Sequence, residues 1–149
     1  MQMQSVDEII NESSSFMFKF TLPAKIKKYN KANGIEINGW VDLAKKYHGV
    51  NPGIMHIIDE EDNIKNIEYI LKDCNSNLEV TIAMKKNIEL CIKKGECEET
   101  KGYYKMVKKT LLDKGFTLRD MDTIISGFKK TINSANAKIK KLQQEQAKK

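Results

Sequence analysis

The stretch TLRDMDTIISGFKKTINSANAKIKKLQQEQAKK, residues 117–149, sets the architecture expected of this chain. Leu118, Met121, Ile125, Phe128, Ile132, Ala135, Ile139 and Leu142 recur at alternating steps of three and four, which keeps them on one seam of a helix. Thr117 and Asp120 read as a capping box at its start, and Gly115 ends whatever helix precedes it. Gly127 and the small Ala135 weaken the seam, since an interior glycine costs about 1 kcal/mol relative to alanine. A helix of roughly 32 residues reaches about 48 Å, longer than a domain of this size is wide. Part of it is therefore expected to project, and the ridge to be covered by a partner helix: a second copy of this chain, giving a homo-oligomer, or another helical protein.

Charge singles out the same stretch. Residues 127–149 carry seven lysines and one acid, which leaves 19 basic and 19 acidic residues of the 26 and 20 in the whole chain. The net charge of +6 thus resides in the C-terminal segment, and residues 1–126 are formally neutral. Lys129, Lys130, Lys138, Lys140 and Lys141 suit an acidic protein surface or a phosphate backbone without reading base sequence, because an ammonium is a point charge without the arginine fork. The bland alternative is a solvated outer face that keeps a coiled coil soluble. Arg119 is the sole arginine, a bias that fits an AT-rich coding genome such as that of a low-GC bacterium or its phages.

Upstream, the spacing predicts a small body over residues 1–115, followed by the long basic helix over 116–149. Ser5-Val6-Asp7-Glu8 is a capping box for a short helix through Asn11. Phe16, Phe18, Phe20 and Leu22 then alternate with Ser15, Met17, Lys19 and Thr21, the period of a strand, and Gly34–Ile37 offers a second strand. Pro23 opens a brief helix through Tyr29. Trp40, Leu43, Ala44 and Tyr47 form a helical stripe closed by Gly49. After a short apolar segment from Ile54 to Ile58, two helices are expected over 63–73 and 78–94, separated by Asn75-Ser76-Asn77, and another over 98–114. The fold class is therefore mainly α with a small N-terminal β element (α+β), ending in a coiled-coil-like helix.

Residues 40–58, WVDLAKKYHGVNPGIMHII, resemble a helix-turn-helix of the repressor kind. Leu43-Ala44 stand on the first helix, Gly49-Val50 in the turn, and Asn51-Pro52 open the second helix, with His48 adding one residue to the turn. The resemblance implies base-reading positions at Gly53, Ile54, His56 and Ile57, a set without the arginine, lysine or glutamine that pairs with base edges.

Little in the sequence points to catalysis. His48 and His56 are eight residues apart and match no zinc or metalloprotease spacing. Asp59-Glu60-Glu61-Asp62 lacks the ligand spacing of a calcium loop and reads as acid capping of the next helix. Cys74, Cys91 and Cys97 are an odd set without CxxC spacing, as expected of reduced thiols. No phosphate loop, nucleophile elbow or dinucleotide fingerprint occurs. The expectation is a non-enzymatic binding or assembly protein, with no cofactor, no metal and no membrane span. The acidic N-terminus, unlike a signal peptide, points to the cytoplasm. The alternative expectation is a nucleic-acid binder that uses the lysine-rich helix together with the degenerate helix-turn-helix-like segment at 40–58.

Overall fold

A computed structural model describes residues 24–148. Within them the chain forms six α-helices: α1 (Ala24–Ala32), α2 (Trp40–Tyr47), α3 (Pro52–Glu60), α4 (Ile64–Lys94), α5 (Tyr104–Thr110) and α6 (Leu118–Ala147). A short 3-10 turn covers Leu112–Lys114. The helix expected at Ser5–Asn11 and the strand expected at Ser15–Leu22 lie outside the described residues.

The frame is an antiparallel pair of long helices, α4 and α6, each about 45 Å long at about 1.5 Å per residue. Met84, Ile88 and Cys91 of α4 meet Met121, Ile124 and Phe128 of α6, while Ile67, Ile70 and Cys74 meet Ala135 and Leu142 at the other end. Lys85 and Asp122 join the two helices at the surface, 2.7 Å apart. The start of α6 is the expected capping box. Thr117 Oγ1 accepts from the Asp120 N–H at 3.2 Å, and the Asp120 carboxylate accepts from the Thr117 N–H at 3.0 Å. Lys45 of α2 adds an ion pair to that carboxylate at 3.1 Å.

Two apolar interiors lie along this pair. One gathers Trp40, Leu43 and Ala44 of α2 with Tyr103, Val107, Leu111 and Phe116. The other gathers Ile26 of α1 with Ile54, Ile57 and Ile58 of α3. Between them, on both long helices, stand three buried polar side chains, Asn77, Thr81 and Thr131. Each turns back on its own helix: the Asn77 amide donates to the Asp73 carbonyl (2.9 Å), Thr81 Oγ1 to the Asn77 carbonyl (2.6 Å) and Thr131 Oγ1 to the Gly127 carbonyl (2.9 Å).

Several expectations are corrected. Gly34–Ile37 forms no strand: the Ile35 N–H donates to the Asn30 carbonyl at 2.8 Å, closing α1, and the Glu36 N–H donates to the Tyr47 hydroxyl at 3.2 Å. The described residues are thus all-α. Asn75-Ser76-Asn77 does not interrupt a helix, because Asn77 satisfies its amide on the preceding turn while packing against α6, and α4 runs through as one element. The helix expected over 98–114 is cut short because Thr100, fully buried, donates to the Gly95 carbonyl (2.7 Å) and accepts from the Cys97 N–H (2.9 Å), folding 95–100 into a turn. Asn63 is the residue that caps α4, its side chain accepting from the Lys65 N–H at 2.9 Å, and of the acidic run Glu61 joins it, its carboxylate accepting from the Asn63 N–H and the Asn66 amide, each at 3.2 Å.

The ridge on α6 is the largest correction. Its cover is α4 of the same chain, with α2 and α3 alongside. Met121, Phe128, Ala135 and Leu142 are buried as the spacing implies, but Leu118, Ile125, Ile132 and Ile139 are only half-buried. The deepest line is displaced toward Ile124, Gly127 and Thr131. The reason is visible at Gly127, where the α2–α3 turn lies directly on the helix backbone.

Candidate functional site

Where α1, the α2–α3 turn and α6 converge, they leave an open groove of about 840 Å³. Its apolar lining comes from Val50, Pro52, Met55, Ile58 and Ala137, its rings from Tyr29, Tyr47 and His56, and its charges from Lys130, Lys138, Lys141 and Asp59. Tyr29 and His56 stack nearly parallel, ring centroids 4.0 Å apart at 13°. Both are half-buried.

Local packing fixes that pair. Asn51 caps α3, its Oδ1 accepting from the Gly53 N–H at 2.9 Å, and the same oxygen accepts from the Asn30 amide of α1 at 3.1 Å. Gly53 packs so closely on Asn30 and Ile26 that a Cβ there would overlap Asn30. The residue after Pro52 therefore holds α1 against α3, which brings position 29 over position 56.

The α6 wall follows from helical spacing. Lys130, Ser134, Lys138 and Lys141 stand at steps of four, four and three, so they share one side over about 16 Å. Lys138 Nζ donates to the Asp59 carbonyl at 2.6 Å. A cation at the C-terminus of α3 opposes the partial negative charge of its last carbonyls. A shallower depression continues along the outer face of α6, bordered by Lys129, Lys130, Asn133 and Ser134. Lys140 is exposed.

The ion pairs of the described residues all use lysines from Lys25 to Lys108: Lys25 with Glu61, Lys45 with Asp120, Lys46 with Asp42, Lys85 with Asp122, Lys93 with Glu89, Lys94 with Glu99, Lys101 with Glu98 and Lys108 with Asp113. Lys129, Lys130, Lys140 and Lys141 have no acidic partner among the described residues. Their charge is left facing solvent.

Of the residues singled out in the sequence, Lys130, Lys138 and Lys141 come together at the groove, with Lys129 beside it, while Lys140 stands apart. The seam residues Leu118, Met121, Ile125, Phe128, Ile132, Ile139 and Leu142 belong to the interior or its edge. The base-reading positions implied for residues 40–58 are largely withdrawn: Gly53, Ile54 and Ile57 are buried against α1 and the long helices, leaving only His56 at the surface. A helix whose reading face is spent on the core cannot lay it in a DNA major groove. Sequence reasoning missed Tyr29, Tyr47, Met55 and Ser134. The signal available for Tyr29 was the Pro23 helix that carries it, but no spacing links residue 29 to residue 56.

No group of three or more histidine, cysteine, aspartate or glutamate side chains among the described residues is placed to hold a metal ion. No helix among them is long and apolar enough to cross a membrane. No protein family, curated protein or solved structure matches this chain.

Proposed function

We propose that this protein acts by binding rather than by catalysis, and that its ligand is the phosphate backbone of a nucleic acid, held without base-sequence readout. The observation that carries this reading is the pair of α6 lysines without acidic partners, Lys130 and Lys141, at a groove that also presents aromatic rings, with Lys129 on the adjoining depression. Lysines without an ion pair also occur elsewhere among the described residues, but those that line the groove, Lys130, Lys138 and Lys141, all come from α6 and none is in an ion pair. Ammonium groups without a bidentate geometry position a phosphate chain and carry no sequence information.

Fluorescence anisotropy with mixed-sequence oligonucleotides, titrated with salt, tests the reading. Affinity is expected to fall steeply with salt, at a log–log slope of about −0.9 per phosphate contact on duplex. Lys130→Ala/Lys141→Ala is expected to weaken binding and reduce that slope by about two. Absence of binding at low salt overturns the proposal. Equal displacement by polyglutamate at matched charge moves the ligand to an acidic protein surface.

Self-association is a second reading, favoured by the half-buried Leu71 and Leu78 and the 48% exposed Ile82 on α4, together with half-buried Ile125, Ile132 and Ile139 on α6. Light scattering of the intact chain separates the two: a monomer mass across micromolar concentrations removes it.

A further inference from the structure

Resting on the phosphate-binding reading, we propose that the groove selects single-stranded over double-stranded nucleic acid, with an unpaired base stacked against the Tyr29–His56 pair and its phosphates on Lys130 and Lys141. Two aromatic rings lie nearly parallel in an open groove rather than in either interior. They are supplied by different helices and locked in place by the Asn30–Asn51 bond and the close approach at Gly53. A preformed ring surface flanked by unneutralised cations is the recognition chemistry of single strands: every base has a π-face, and the backbone follows the positive wall. A volume of about 840 Å³ lies in the range of sites that enclose ligand-sized groups, roughly 300–1,000 Å³. In a duplex the base faces are covered by their neighbours, so its phosphates reach the lysines at the rim while its bases cannot reach the rings.

The test compares the intact protein on a labelled oligonucleotide of about 12 nucleotides and on a duplex of the same length. The single strand is expected to bind about tenfold tighter or more, since stacking on one aromatic platform carries a large share of such affinity. Tyr29→Leu/His56→Leu keeps the groove apolar but removes the rings. It is expected to weaken the single strand by about tenfold and leave duplex affinity within about twofold, because only the single strand uses the rings. Tyr29→Phe keeps a ring and is expected to preserve the preference, while far-UV circular dichroism and thermal melting show that each variant folds. Equal affinity of the wild-type protein for both ligands overturns the inference and leaves the phosphate reading standing, as does an equal loss on both ligands in the leucine variant. Failure of the wild-type protein to bind either ligand overturns both. If the leucine variant does not fold, the wild-type ratio alone decides.

Discussion

The carbonyl of Gly49 occupies the space in which a side chain at Gly127 would begin, so the α2–α3 turn and α6 meet backbone to backbone. Gly49 is itself in the left-handed region, φ 85°, and its own Cβ would overlap the Thr123 carbonyl. Gly127→Ala, which in an exposed helix would gain about 1 kcal/mol, is expected here to destabilise by about 1–3 kcal/mol through overpacking. The midpoint of urea unfolding, with an unchanged slope, measures it; a raised midpoint would show that the turn yields.

The capping box carries an acid dependence. Burial alone would raise the Asp120 carboxyl, but the Lys45 ammonium and the Thr117 N–H overrule it and hold the group below its ordinary range. Its folded pKa is therefore lower than its unfolded one. The associated stability is complete above the unfolded value of about 3.9 and fades as pH falls through the lower folded value. Asp120→Ala is expected to cost about 1 kcal/mol at neutral pH and less at about pH 2, where the carboxylate contribution is being lost. Paired urea melts at the two pH values read the difference.

The polar layer between the two interiors gives opposite outcomes for different substitutions. Thr131→Val removes a hydroxyl that shares a carbonyl already in the helical ladder, so stability is expected to stay within about 1 kcal/mol or rise. Asn77→Asp sets a buried carboxylate against the Asp73 carbonyl and is expected to cost on the order of 3 kcal/mol at neutral pH, the scale of an uncompensated buried charge. Thermal melts of the two variants separate these outcomes.

Thiol reactivity should follow burial. Cys97 is half-buried, and the Thr100 hydroxyl, 3.6 Å from its sulfur, holds its thiol below the ordinary value. Burial raises the Cys91 thiol and pushes Cys74 up to about 12. Alkylation of the native protein is expected at Cys97 first, then Cys91, with Cys74 modified only on unfolding. Mass spectrometry of a labelling time course gives the order.

Truncation distinguishes a docking arm from a structural helix. Removing residues 129–149 takes Thr131, Ala135 and Leu142 out of the interior. The shortened chain is expected to lose cooperative melting rather than simply to change its mass. A sharp transition at an undiminished temperature would count against this.

The α6 cap, the Trp40 stripe and the closing turn at Gly49 were legible because local hydrogen bonding and helical period act over a few residues. The cover of the α6 ridge was not, since a seam of Leu118, Ile125, Ile132 and Ile139 looks the same whether its partner is another molecule or a helix 50 residues upstream. Asn75-Ser76-Asn77 misled because asparagine and serine favour breaks in isolation, whereas tertiary packing lets Asn77 bond its own helix. The lysines of the groove were visible as charge. The rings opposite them were not, because only the long-range placement of α1 on α3 joins Tyr29 to His56.

The helices common to both interiors are α4 and α6; α1 and α3 are anchored toward one end of this pair of rods, α2 and α5 toward the other. Shedding the short helices at one end would leave the apolar contacts of the opposite end intact, so their amide protons are expected to exchange with solvent in separate events. Because Tyr29 and His56 belong to one end and Tyr47 to the other, the groove has its full shape only while both ends are shut, and anything that fills it ties their openings together.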